Sequence, residues 1–369
     1  MLEPVIQSSR FPPAFLNSFP FRDLALPIHD ARPVYKGYRF PGIIDIHVHG
    51  AFGWDFSFGD ADRIDAMLDR MTETGLTGVV ATLITCPEEQ RIRALTDIRE
   101  VASRRERPPH ILGVSLEGPF LSPARRGSHP VESLMPLDPV ALERWQEAAG
   151  GRIRLVTVAP ELPGLSALIE VARHLEIRVA IGHTDADHTT TAAAFSAGAN
   201  HVTHIYNAMR PFSHRDPTAV SAILSNRNAT VELIGDGIHV APEIAALTFS
   251  IIGAERLALI SDGVCPMGLP DGIHVAYGHR LELKNGRCAF EGGHLFGGGK
   301  TLLQAIPGLF QQAGISLASL TTSTSATPAR ALGMSLPNAD VLVDESFLWL
   351  ATRIENTWYW REHDGIVHE

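Results

Sequence analysis

Lysine is almost missing from this chain of 369 residues. Lysine and arginine together number 31, and only Lys36, Lys284 and Lys300 are lysines. None of them falls in an apolar segment with strand character, which excludes chemistry that needs a lysine on a core strand. Cysteine is nearly as scarce. Cys86, Cys265 and Cys288 are odd in number, far apart and free of any CxxC spacing. That excludes a disulfide framework and a cysteine metal cluster, and fits free thiols in a reducing cytoplasm. No apolar run reaches the ~18 to 20 residues needed to span a bilayer. The opening MLEPVIQSSRFPPAF lacks a basic segment followed by an apolar core, so no secretion signal is expected and the expected location is cytoplasmic. Positive charge is in deficit too, with a formal net charge of −10. Such a surface excludes nucleic acid and anionic membranes as the expected partners.

What remains is an ordinary globular composition, 45% hydrophobic and 20% charged. Eight short apolar segments recur at 42–49, 76–85, 110–117, 153–161, 177–184, 199–207, 229–240 and 256–264. Between most of them lie stretches such as DADRIDAMLDRMTETG and LPGLSALIEVARHLE, with apolar residues three and four apart. Strand and helix alternating eight times predicts an α/β fold with a parallel sheet, closed as a (β/α)8 TIM barrel. An open doubly wound sheet is the competing fold, though no GxGxxG follows the first strand. The flanks differ. Residues 1–40 hold six prolines and read as extended or irregular. RLELKNGRCAF alternates around Asn285-Gly286, a hairpin signal, and ADVLVDE and FLWLATRIENTWYWRE read as strands. The expected division is a barrel over 41–269 and 300–334, with a small, reduced β-subdomain from 1–40, 270–299 and 335–369. Thr301 to Gly333 is helical in character.

Polar residues collect where the predicted strands end. In Ile44-Asp45-Ile46-His47-Val48-His49-Gly50, strand alternation puts His47 and His49 on one face and Ile44, Ile46 and Val48 on the other. Alone, such a pair equally describes the wet side of a half-buried strand. Further strands end in Glu117, His183, His204 and Asp262. Four histidines, a glutamate and an aspartate at five strand ends form a nitrogen/oxygen ligand set at one barrel mouth.

These residues sit inside longer motifs: PGIIDIHVHG, SLEGPFLSPARRGSHP, IGHT, THIYNAM, SHRDP, GDGIHV, LISDG and ATPARALG. Together they resemble the amidohydrolase superfamily and, within it, the N-acetylglucosamine-6-phosphate deacetylases. The resemblance implies that Glu117, His183 and His204 hold a catalytic divalent metal, zinc or iron, and that His47 and His49 permit a second. It implies Asp262 as general base and then acid, and His129, in Arg126-Gly127-Ser128-His129, beside the substrate carbonyl. Ser128, Asn207, Ala208, Arg215 and His239 match positions that bind the phosphorylated amino sugar, as does the loop of Leu295, Phe296 and Gly297. Arg215 would come from the partner subunit of a homodimer. The sequence departs from the family in three places: residues 1–40 lack its strand-rich start, Leu295-Phe296-Gly297-Gly298 replaces Leu-Ala-Gly-Ser, and the C-terminal strands are abbreviated.

The chemistry accounts for these residue types independently. Amide hydrolysis needs an activated water and a polarised carbonyl, which a divalent metal supplies, with a carboxylate to move the proton. An arginine and a histidine suit a phosphate dianion. Two other motifs fail. Gly297-Gly298-Gly299-Lys300-Thr301 lacks the first glycine of GxxxxGK[ST], which would fall at His294, and neither Ser115 nor Ser261 sits in a GxSxG elbow. The expected activity is removal of the N-acetyl group from N-acetylglucosamine 6-phosphate. The alternatives are a deacetylase for another amino sugar, such as N-acetylgalactosamine 6-phosphate, a cyclic-amide hydrolase, and a phosphosugar-binding barrel without catalysis. Cyclic-amide hydrolases of the superfamily generally use a carboxylated strand lysine, which this chain does not offer.

Overall fold

The computed structural model describes residues 5–7, 34–336, 338–362 and 365–368. The rest of the proline-rich start lies outside the described residues. Eight parallel strands form the central sheet: Ile44–Val48, Gly78–Ile84, His110–Glu117, Ile153–Val158, Arg178–Ile181, His201–Val202, Thr230–Ile234 and Leu257–Ile260. Each lies beside the next in chain order, and the eighth returns to the first through a parallel bridge between Val48 and Gly263. That bridge closes the barrel. The Asp262 amide donates to the His47 carbonyl at 3.0 Å, and the Asp45 carboxylate accepts from the Ser261 amide at 3.3 Å. The closed (β/α)8 barrel is therefore the fold, and the open sheet is ruled out.

The interstrand helices follow from their sequences. Ala61–Met71 buries Ile64, Met67, Leu68 and Met71, spaced three and four apart, and is capped by the Asp60 side chain on the Arg63 amide. Pro139–Ala148 starts with proline at its first turn and an Asp138 cap, and buries Leu142 and Trp145. After the barrel, Leu302–Gln311 opens on a capping box between Thr301 and Gln304. The helical stretch then runs on through a π-helical turn at Thr322–Ala326.

Two strands depart from the expected pattern. The register slips between Asp45 and Val48, so plain alternation does not hold through the first motif. Ile44 and Ile46 join one apolar cluster, while Val48 joins another. The sixth strand is only His201–Val202, because His204, Tyr206 and Ala208 take positive φ values of 24°, 79° and 50°. Left-handed backbone cannot continue a ladder, so the chain turns away at the barrel mouth.

Beyond the barrel strands lie a six-stranded sheet, a four-stranded sheet and the short pair Gly50–Ala51 with Trp54–Asp55. Val34–Phe40 pairs with Ala339–Asp344, and Val5–Gln7, Trp349–Ile354, Thr357–Glu362 and Gly365–His368 complete a six-stranded sheet. Residues 34–40, which read in sequence as extended or irregular and as part of the β-subdomain, are a strand. Gly272–Ala276, His279–Lys284, Arg287–Phe290 and Leu295–Gly298 form a four-stranded antiparallel sheet. Its turn is Asn285-Gly286, both at positive φ as a two-residue hairpin requires. This sheet joins the barrel rather than the terminal strands, through the Gly263–Gly298 bridge. A Cβ at Gly298 would lie 2.0 Å from the Ser261 carbonyl oxygen, so only glycine permits that seam.

Candidate metal centre and its cavity

The strand ends converge on Glu117. Its carboxylate oxygens lie 2.7 Å from His204 Nε2, 3.0 Å from His183 Nε2, 3.1 Å from His49 Nε2, 3.2 Å from His129 Nε2 and 3.6 Å from His47 Nε2. Asp262 faces the same group, with Oδ1 3.4 Å from both His47 Nε2 and His49 Nε2. All of these side chains are buried. Three of the residues, His183, His204 and Asp262, hold positive φ (46°, 24° and 50°), a cost the surrounding barrel imposes to aim their side chains inward.

Hydrogen bonds on the far side of each ring decide what the near side can do. His183 Nδ1 lies 2.9 Å from the Arg125 carbonyl, which can only accept, so that nitrogen carries the proton. His47 Nδ1 lies 2.8 Å from Glu232 Oε2 and is protonated for the same reason. In the neutral rings each Nε2 is then a bare lone pair, aimed at a carboxylate that is itself an acceptor. His47 Nε2 has no hydrogen-bond partner, and His183 Nε2 and His204 Nε2 face each other at 3.2 Å. Lone pairs from nitrogen and oxygen crowded this closely call for a cation between them, so the donor set fits a divalent metal. His129 is set the opposite way. The Thr85 amide, which can only donate, lies 3.2 Å from its Nδ1, and the Thr85 hydroxyl lies 2.8 Å from the same atom. A neutral ring that accepts from that amide carries its proton on Nε2, 3.2 Å from Glu117.

The electrostatics show the same demand for positive charge, met by a proton or by a metal. Burial works against charge on Glu117, yet His47, His183 and His129 hold its carboxyl well below the usual carboxylate range. Burial likewise opposes charge on Glu232, and His47 and His201 bring it down to about 2. For His47, burial is outweighed by Glu232 and Glu117, and its imidazole rises well above the usual histidine range. Burial pushes His129 down to about 4, keeping it neutral. The mouth is an anionic sink that cations neutralise.

Asn207, Ala208, Ser128, His239, Leu295 and Phe296 line the same cavity, about 190 Å³, with the centre. His239 is fixed by a 2.7 Å bond from Nδ1 to Asp236. Gly297 does not line it. A Cβ there would meet Val264 Cγ1 at 2.5 Å, so its role is to let the hairpin close on the barrel. Arg215 is exposed and stands outside the cavity of its own chain. Sequence reasoning missed Glu232, His201 and Asp45. Glu232 bridges His47, His201 Nε2 at 2.8 Å and the His204 amide at 3.3 Å. Its signal was a single acid inside the otherwise uncharged strand Thr-Val-Glu-Leu-Ile.

The amidohydrolase family model matches residues 38–336. The chain belongs to the amidohydrolase family. It is 36% identical over 80% of its length to the N-acetylglucosamine-6-phosphate deacetylase of Bacillus subtilis, covering 75% of that protein. It is 32% identical over 80% of its length to the N-acetylgalactosamine-6-phosphate deacetylase of Escherichia coli O157:H7, covering 78% of it. Among solved structures, it superposes with TM-score 0.83 on a Mycobacterium smegmatis N-acetyl-D-glucosamine-6-phosphate deacetylase mutant in complex with N-acetyl-D-glucosamine-6-phosphate. Identity there is 30%, with 90% of each chain covered. Amidohydrolases are metal-dependent, in keeping with the two groups His47, Glu117, His204 and His47, His49, Asp262, whose donor atoms lie within 4.8 Å of one another in each group.

Proposed function

We propose that this amidohydrolase removes the N-acetyl group of N-acetylglucosamine 6-phosphate, giving glucosamine 6-phosphate and acetate. One observation carries the reading: Glu117, His183, His204, His47, His49 and Asp262 meet at one mouth, in a cavity that Asn207, Ala208 and His239 also line. Glu117, His183 and His204 would hold a divalent ion, zinc or iron, with His47 and His49 offering a second position. When bound, that ion supplies Lewis acidity to the amide carbonyl and lets water lose a proton near neutral pH. Asp262 takes that proton and returns it to the leaving nitrogen. His129 donates its Nε2 proton as a hydrogen bond to the developing oxyanion. Asn207, Ala208, Ser128 and His239 bind the sugar phosphate.

Arg215 is assigned to the neighbouring subunit's site in a cytoplasmic homodimer. Its exposure outside its own cavity supports this, as does the exposed apolar stripe of Ile244, Leu247 and Ile251 on helix Pro242–Ile252. The E. coli relative keeps N-acetylgalactosamine 6-phosphate as the second reading. Acetate release from both phosphosugars and their unphosphorylated forms separates the two. Asp262→Asn should retain metal and lower kcat by at least about 10²-fold, and a fall below about tenfold would make the aspartate structural.

A further inference from the structure

Beside the metal cavity lies a larger chamber of about 780 Å³, and the reaction so far has no use for it. The two spaces share Ile84, Gly127, Ser128, Tyr277 and Phe296 as walls. The metal cavity alone, about 190 Å³, falls short of the roughly 300 Å³ at the lower end for ligand pockets. The chamber is where a ligand has room to extend.

One wall is aromatic and continuous, while Gln90, Arg126 and Glu132 line other parts of the chamber. Phe58 packs on Tyr277 with centroids 4.9 Å apart, Tyr277 on Phe296 at 5.1 Å, Phe296 on Phe290 at 5.2 Å, and Phe290 on His279 at 5.2 Å. Tyr277 is pinned by a hydrogen bond from its hydroxyl to the buried Asp55. Three of these rings come from the four-stranded sheet seated on the barrel through Gly298. That sheet therefore builds a rigid apolar surface over the mouth, a surface that recognises flat or aliphatic carbon.

Position assigns the occupant. Asn207, Ala208 and His239 follow the sixth and seventh barrel strands, whereas Thr85, Cys86 and Val131, which line the chamber alone, follow the second and third. In an eight-stranded ring these arcs face each other across the axis, and Glu117, at the end of the third strand, reaches over to His183 and His204. In a 2-acylamino sugar 6-phosphate, C2 and C5 stand opposite across the pyranose ring. A phosphate held on the sixth and seventh strands thus directs the acyl group toward the second and third. We infer that the chamber is an acyl subsite, and that the enzyme hydrolyses glucosamine 6-phosphates carrying N-acyl groups much larger than acetyl, aromatic ones included. This rests on the phosphosugar deacetylase reading above. The bonds exchanged are those of deacetylation: water adds to the acyl carbon, the C–N bond breaks, and the nitrogen leaves with a proton as the free amine beside a carboxylate.

The test compares glucosamine 6-phosphate N-acylated with acetyl, butanoyl and phenylacetyl groups. Release of the free amine should proceed with kcat/KM for phenylacetyl within about tenfold of that for acetyl, since a roomy apolar site discriminates weakly. Val131 lines only the chamber and is 54% exposed, so Val131→Trp narrows the chamber without touching the core. It should cut kcat/KM for phenylacetyl by about tenfold or more and leave acetyl hydrolysis within about twofold, and His294→Trp, elsewhere in the chamber lining, should do the same. Acetyl turnover with no phenylacetyl turnover would overturn the acyl subsite and leave the deacetylase reading standing. Phenylacetyl turnover without acetyl turnover would do the reverse. If both variants spare phenylacetyl but impair substrates bearing a bulky group on the anomeric oxygen, the chamber serves that group and the inference falls.

Discussion

Glu232→Gln isolates what holds the metal ligands rather than the ligands themselves. The carboxylate accepts from His47 Nδ1 at 2.8 Å, from His201 Nε2 at 2.8 Å and from the His204 amide at 3.3 Å. The amide that replaces it has one oxygen, and its NH₂ cannot accept. One histidine therefore loses its acceptor inside a dry core, at a cost of about 1 to 3 kcal/mol. His47 can escape by moving its proton from Nδ1 to Nε2, which removes the lone pair that faces Glu117 and Asp262. Either way the penalty falls on metal binding, where such supporting carboxylates are worth about 10- to 100-fold. Metal titration of chelator-stripped protein, followed by acetate release, should show affinity weakened within that range. The activity of the fully loaded variant should fall far less than that of Asp262→Asn. A variant that binds metal within about twofold of wild type would refute the tautomer argument, because that shift is too small for the loss of a supporting carboxylate.

Glu117→Ala should abolish retained metal and turnover together, measured by elemental content and acetate release, since among the described residues no other carboxylate faces all five imidazoles. Arg215→Ala should raise KM for the phosphorylated sugar by about tenfold or more, the weight of a charge-assisted hydrogen bond, and spare the unphosphorylated sugar. Mixed with Asp262→Asn it should regain activity if subunits exchange. Stability of metal-stripped protein should fall with acid. The Glu232 carboxyl stands at about 2 against 4.5 unfolded, so its contribution of at most about 3 kcal/mol is complete above pH 4.5 and lost toward pH 2. Denaturant unfolding across that window should show the loss in wild type and not in Glu232→Gln.

The barrel was legible because each of its strands is a short apolar run bounded by helical periodicity, and that pattern is local. The ligands were legible because strand ends are where a barrel converges. What escaped depends on partners distant in the chain. Glu232 is 185 residues from His47, and nothing near it in sequence says that its carboxylate faces an imidazole. The slip between Asp45 and Val48 comes from closure against Ser261 and Gly263, so alternation alone mislabels the face of Ile44 and Ile46. The hairpin at Asn285-Gly286 announced itself, but its attachment did not. That attachment is decided by the close approach of Gly298 to Ser261, a contact between backbones with no side chain to read.

The pairing of Val34–Phe40 with Ala339–Asp344 sets an order of events during synthesis. The first of these strands leads directly into Ile44–Val48, so it leaves the ribosome before any of the barrel, while its partner emerges after all of it. For the whole interval its edge is open to water and to other nascent chains. The metal mouth can be complete while this seam is still unmade. A truncation before residue 339 would therefore leave the catalytic groups in the chain and remove the cover from a strand edge, and its failure would be one of aggregation rather than of chemistry.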